Sequence, residues 1–195
     1  EVRDINDKLS GIMKEARYRN FFSTEIRVDG EPYLIDPCAR IPIPPGEIQY
    51  EIWGNLSEII WAGANGEMID PEPTAKFGVE VIMSHTGKEQ HWRTMQIPDD
   101  IKRWVKLFGA CKHGDLYCIP PMPHLTDSIG AVVGLGNTIE DAIAEVKDVA
   151  ESLKDQPVTI DMSAIMDTLR VIGEAEDKGI EFTDKEVPEP ESVIP

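Results

Sequence analysis

The sequence is poor in cysteine, aromatic residues and positive charge, and it holds no long apolar run. Its cysteines are Cys38, Cys111 and Cys118, an odd number with no metal-ligand spacing. Cys111 and Cys118 are spaced to bridge across a hairpin, but so low a count reads as a reducing compartment, and the expected location is the cytoplasm. No stretch approaches the roughly 18 apolar residues of a membrane span, and no signal peptide is evident. Lys and Arg number 19 against 36 acidic residues, for a formal net charge of −17. Such a balance disfavours nucleic acid and anionic membranes as partners unless a local basic patch exists. Lys102, Arg103 and Lys106 come nearest to one, and they read as scattered positions on a helix or strand face. The histidines build no site either. His85 and His91 have no third ligand near them, and His113 and His124 fall in expected loops, so all read as surface or satisfied residues. A dinucleotide loop is also lacking. Gly134-Leu135-Gly136 has no third glycine, and no strand ending in an acid follows the next helix.

What is present suffices for a folded chain. Hydrophobic residues make up 41% of 195, enough to fill a core in one large or two small domains. The chain begins with Glu1 rather than Met, which reads as a piece of a longer or processed protein.

The stretch of most interest runs from Phe21 to Gln49. Apolar and polar residues alternate through Val28, the chain turns at Asp29-Gly30, and a second run follows as Pro32–Asp36. Asp-Gly between two such runs is a hairpin signal. A two-residue turn would pair Val28 with Glu31, Glu25 with Leu34 and Ser23 with Asp36. Ser23, Glu25, Arg27, Leu34 and Asp36 would then share one face. Thr24, Ile26, Val28, Tyr33 and Ile35 would point the other way, into a core. Glu25 and Asp36 would lie diagonally, roughly 7–8 Å apart at the backbone. A longer, bulged turn would change that pairing. Two carboxylates on one face suit Mg²⁺, which typically takes one or two carboxylates plus substrate phosphates. Charged residues on a solvated strand face are the plain alternative.

Elsewhere the pattern predicts an amphipathic helix over residues 1–16, with Val2, Ile5, Leu9, Ile12 and Met13 on one side. Ile41-Pro42-Ile43-Pro44-Pro45-Gly46 is an extended loop. A single helix is expected from Pro45 or Gly46 to about Ala64, stopped by Gly66, its first N–H groups offering a place for an anion. Asp70-Pro71-Glu72-Pro73 is the expected domain boundary. Strands are expected at Phe77–Met83, His91–Ile97, Ile101–Leu107, Asp115–Ile119 and Ile129–Leu135. A helix follows from Thr138 to Leu153, with Asp141 as capping partner. A last helix runs from Asp161 to Glu176 and ends at Gly179, before an acidic, Pro-rich tail. The fold class is α+β. Residues 1–69 form one unit, residues 70–155 a small strand-rich module with a closing helix, and residues 156–195 a terminal helix and tail.

An acid on a strand, a short turn, and a strand ending Asp36-Pro37-Cys38-Ala39-Arg40 resembles the carboxy-terminal lobe of the ATP-grasp fold. Pro45-Gly46-Glu47-Ile48-Gln49 is similar to the Pro-Glu-x-Gln that opens a helix in the phosphoribosylamine–glycine ligase family, two residues farther from the Arg. Val132-Val133-Gly134-Leu135-Gly136-Asn137-Thr138-Ile139-Glu140-Asp141-Ala142 resembles a strand and helix of that family's carboxy-terminal domain. The resemblance covers roughly Tyr18 to Leu153. It implies the carboxy-terminal part of an ATP-grasp lobe, built as helix–hairpin–helix, in a ligase that activates a carboxylate as an acyl phosphate and passes it to an amine. It implies ATP and Mg²⁺ as cofactors, Glu25 and Asp36 as metal ligands, Glu25, Arg27, Leu34 and Asp36 against the nucleotide, and Arg40 as the catalytic arginine. The family's metal-binding Asn falls on Cys38, a soft ligand poor for Mg²⁺. The implied partners are carboxylate and amine substrates and amino-terminal lobes carrying the glycine-rich loop. Without those lobes one sheet face would be bare and prone to self-association. The remaining alternatives are a non-catalytic binding or structural module that keeps the fold, and an unrelated domain with a chance motif.

Overall fold

The computed structural model describes residues 2–85, 91–121 and 128–180. Helix α1, Val2–Glu15, keeps the expected apolar spacing. Strands β1, Ser23–Asp29, and β2, Glu31–Cys38, form a two-stranded antiparallel hairpin around Gly30, which adopts a positive φ of 74°. Side chains expected in a core under this hairpin lie open instead: Val28 is 60% exposed, Tyr33 55% and Ile35 54%. No third strand and no buried hydrophobic cluster covers the ribbon among the described residues.

The single helix expected after the proline loop is two helices, α2, Gly46–Ile52, and α3, Leu56–Asn65. The break at Trp53-Gly54-Asn55 is held by the Pro-rich segment further along. Gly54 N–H donates to the Glu72 carbonyl at 2.8 Å, and Thr74 N–H to the Ile52 carbonyl at 2.7 Å. The Asn55 side chain donates to the Asp70 carbonyl and accepts from Glu72 N–H, both at 2.9 Å. Asn55 spends its amide on this strap rather than on the helix, as short polar side chains do at breaks. Gly66 ends α3 in the left-handed conformation, as its sequence position implies.

The remaining described chain is two antiparallel sheets with one long helix. Strands β3, Phe77–His85, β5, Val105–Leu107, β8, Ser128–Gly136, and β9, Val158–Ile160, form a four-stranded sheet in the order β5-β8-β3-β9. Strands β4, Arg93–Met95, β6, Cys111–His113, and β7, Leu116–Ile119, form a three-stranded sheet in the order β4-β7-β6. A short 3₁₀ turn at Lys102–Trp104 replaces the first half of the strand expected from Ile101. His113 ends β6 rather than lying in a loop; His124 lies outside the described residues. Helix α4, Ile139–Ser152, begins at Thr138, whose hydroxyl accepts the Asp141 N–H at 3.1 Å. The expected last helix is divided into α5, Ser163–Met166, and α6, Thr168–Asp177; the acidic tail lies outside the described residues. The class is α+β, as the order of elements implies.

Among the described residues the main hydrophobic cluster lies in the second part of the chain. Val81 and Met83 of β3, Val132 of β8, and Ile143, Val146 and Val149 of α4 pack with Met95 and Ile119 of the smaller sheet. Gly134 lets α4 approach: a Cβ there would stand 2.5 Å from the Ala142 carbonyl oxygen. The opposite face of the larger sheet carries Gly78, Glu80, Ala131 and Val133, and α2 lies on it. A Cβ at Gly78 would meet Ile48 of α2 at 2.4 Å, and Ala131 and Val133 are fully buried.

Both α2 and β9 therefore belong to the packing of this module. A fragment of residues 45–166 is expected to melt cooperatively. A fragment of residues 74–153 bares the Ala131–Val133 face and one edge of β3, and should lose cooperativity and bind a hydrophobic dye. Calorimetry of the two fragments checks this.

Candidate functional site

The hairpin places the two sequence-predicted carboxylates closer than a two-residue turn would. The register runs Asp29↔Glu31, Val28↔Pro32, Arg27↔Tyr33 and Ile26↔Leu34, then shifts at a bulge to Glu25↔Asp36, Thr24↔Pro37 and Ser23↔Cys38. The extra residue is Ile35. A bulge of one residue reverses the face of everything beyond it. Without it Asp36 would stand opposite Thr24, on the other side of the ribbon. With it, Asp36 stands directly across from Glu25, where side chains on paired positions are roughly 4.5–5.5 Å apart at Cβ. The diagonal placement expected from sequence is corrected to a direct pair.

The same register corrects Leu34. It pairs with Ile26 and lies on the face opposite Glu25, while Tyr33 takes the place beside Arg27. The carboxylate face thus carries Ser23, Glu25, Arg27, Tyr33, Asp36 and Cys38. Thr24, on the opposite face, meets α1 through Asn6 at 2.9 Å, so α1 does not obstruct the carboxylates.

Each carboxylate has a protein partner. Arg27 donates to Glu25 Oε1 from Nη2 at 3.0 Å and from Nε at 3.2 Å. Cys38 Sγ donates to Asp36 Oδ2 at 3.2 Å. That hydrogen bond, with desolvation and the Asp36 charge behind it, raises the Cys38 pKa and keeps the thiol protonated. Arg40 follows the strand end, its backbone carbonyl accepting from Ser23 Oγ at 3.4 Å and its guanidinium donating to the Ile41 carbonyl at 3.1 Å. Two opposed carboxylates flanked by two exposed arginines can take a divalent cation together with an anion. Their carboxylate oxygens are hard donors of the kind Mg²⁺ takes, and two of them would leave further positions for phosphate or water. Among the described residues no group of three or more His, Cys, Asp or Glu converges on a metal position, so the ribbon offers two protein ligands at most.

A second charged cluster lies under α2. Glu47 is 3% exposed, and its Oε2 has no hydrogen-bond partner. Facing it, Glu80 of β3 buries both carboxylate oxygens, neither of them in a well-formed hydrogen bond. Burial first, and then the neighbouring Glu47 charge, push the Glu80 pKa up to about 8, with the Ile48 backbone N–H acting weakly the other way. The group facing the start of α2 is thus the chain's own Glu80, which keeps its proton up to about pH 8. One turn along, Glu51 is ion-paired with both Arg103 and Lys106, so these basic residues are already engaged within the chain. The signal for this cluster was an acid, Glu80, in the middle of an otherwise apolar strand.

No protein-family model matches the chain, and no curated protein sequence does. Solved structures do. Phosphoribosylamine–glycine ligase from Thermotoga maritima superposes with a TM-score of 0.53 over 71% of this chain, at 19% sequence identity. The chain shares its fold with part of that enzyme. It spans 34% of the ligase's length. No helix among the described residues is long and apolar enough to cross a membrane.

Proposed function

We propose that the chain is the carboxy-terminal portion of an ATP-dependent carboxylate–amine ligase of the phosphoribosylamine–glycine ligase kind. Residues 1–69 would be the end of an ATP-grasp lobe, and residues 70–155, with β9, the small module that follows. The observation that supports this best is the direct opposition of Glu25 and Asp36 on one face of a hairpin that ends in Arg40, in a chain sharing its fold with a third of such a ligase.

In this reading Glu25 and Asp36 hold Mg²⁺, whose charge offsets that of the nucleotide phosphates. Arg27 and Arg40 would be the residues to hold phosphate oxygens, since a planar guanidinium suits two oxygens at once. The lobe bearing the glycine-rich loop, and most of the adenine and substrate pockets, come from other parts of the protein. The test is carboxylate-dependent ATP turnover in the full-length protein, with hydroxylamine present to trap the acyl phosphate as a hydroxamate. Turnover without a carboxylate requirement, or none, refutes the reading.

One observation favours a second reading, a non-catalytic module that keeps the fold. Asp36 is engaged by the Cys38 thiol where the resembled family carries an amide ligand. Replacing Cys38 with Asn separates the two: a catalytic site should bind Mg-nucleotide more tightly, and a structural one should be indifferent.

The ribbon also bears on association. Val28, Leu34 and Ile35 are open to solvent, and in the full ligase other lobes would cover them. Alone, the chain should self-associate through this face at high concentration, opposed by its net charge of −17. Added salt, by screening that charge, should strengthen the association. A monodisperse monomer by sedimentation in high salt would exclude it.

A further inference from the structure

The β6–β7 hairpin places the two downstream cysteines face to face. The chain turns through Gly114-Asp115, Gly114 taking a positive φ of 60°, and the pairs run His113↔Leu116, Lys112↔Tyr117 and Cys111↔Cys118. Directly opposed residues of an antiparallel pair have Cα atoms roughly 4.5–5.5 Å apart, inside the 4.4–6.8 Å that a disulfide spans. Which face they occupy follows from the rest of the sheet. Met95 and Ile119 are buried in the core, and with Tyr117 they alternate with Thr94 and Cys118 along β4 and β7. The cysteines therefore share the outer face. Cys111 is exposed and Cys118 half-buried, and both are free thiols. β6 is also an edge strand of its sheet. The remaining cysteine, Cys38, lies on the other ribbon and donates to Asp36.

We propose that Cys111 and Cys118 form a reversible two-electron redox site whose oxidised state is a cross-strand disulfide pinning the β6 edge. With a peroxide as oxidant, the Cys111 thiolate, the more accessible of the two, attacks the O–O bond. It becomes a sulfenic acid and one water leaves. The Cys118 thiol then attacks that sulfur, the S–S bond forms, and a second water carries away the sulfenic oxygen. The two thiols lose two electrons, and the peroxide is reduced to two waters. A dithiol reductant reverses the step by exchange through a mixed disulfide. Exposed disulfides are the readily reduced, regulatory kind, and a pair at a sheet edge suits a sensor better than a permanent staple. In a reducing compartment the thiol form is the resting state.

The test uses the full chain with Cys38→Ser, which leaves the pair as the only thiols. Stoichiometric hydrogen peroxide, followed by iodoacetamide and intact mass, should give a monomer lighter by two hydrogens with no alkylation. After dithiothreitol, two alkylations should appear. Amide exchange of residues 111–113 should slow by about tenfold or more in the oxidised form. Cys118→Ser should instead leave Cys111 to accumulate a mixed disulfide with oxidised glutathione, and Cys111→Ser should react slowly. Two alkylatable thiols after oxidation, or disulfide found only between chains, would overturn the proposal. An unchanged far-UV spectrum and melting temperature in Cys38→Ser ensures that a negative result concerns the pair and not the fold.

Discussion

On the proposed function, Glu25→Gln and Asp36→Asn are each expected to abolish carboxylate-dependent ATP turnover in the full-length protein, by at least roughly 100-fold in kcat, the scale on which a group stabilising transition-state charge acts. Both replacements keep shape and remove charge. The bulge at Ile35 makes the two carboxylates direct cross-strand partners, so on the proposed function they would act as one ligand pair, neither sufficient alone to hold the cation against the phosphates. The double variant should therefore be little worse than either single one. Stability should hold or rise slightly, because two like charges on opposed positions repel and either change relieves this. Glu25→Gln also gives up the Arg27 ion pair, which is exposed and of little consequence. In the isolated chain the pair should bind Mg²⁺ only weakly. Steady-state kinetics, with thermal melts of the same proteins, decides the matter; wild-type turnover in both variants would reduce the hairpin to scaffold.

The second large effect concerns pH. Glu80 has a folded-state pKa of about 8 against an ordinary value of 4.5. Between these values the folded chain holds a proton that the unfolded chain has released. Stability is thus highest below about pH 4.5 so far as this group is concerned, falls as pH rises to about 8, and is level above. Glu47, unpartnered at one oxygen, is the natural acceptor of the Glu80 proton. Glu51 with Lys106 and Arg103 provides the other charges beneath α2. Allowing for solvent around a half-buried group, the loss across the window should be on the order of 2 kcal/mol. Glu80→Gln keeps a donor for Glu47 and removes the titration. It should flatten the profile and make the chain more stable than wild type at pH 9, by roughly 1–2 kcal/mol. Urea denaturation at pH 5, 7 and 9 measures it; a wild-type profile that does not fall between pH 5 and 9 would exclude the shared proton.

Several elements were legible in the sequence because their signals are local. The apolar spacing of α1, the Thr138 cap with its Asp141 partner, the apolar runs of β3 and β8, and the Gly66 stop each depend on neighbours within a few residues. The hairpin was legible for the same reason, as was the presence of two acids on it. Tertiary structure decided where those acids stand. The turn at Gly30, pairing Asp29 with Glu31, set Leu34 opposite Ile26 and away from Glu25, and a single bulged residue beyond it, invisible in an alternating pattern, turned Asp36 to face Glu25, since period-two side chains reverse with every shift of one. It also decided the break between α2 and α3, where helical spacing runs on without interruption but Gly54, Asn55 and Ile52 bond to the Asp70–Thr74 strap. Strands β6 and β9, three residues each, are too short to carry a period and exist only because a neighbouring strand offers its edge. The Glu47–Glu80 contact brings together two residues from separate elements. Its effect on protonation comes from burial and proximity, which only the packing of α2 on the sheet creates.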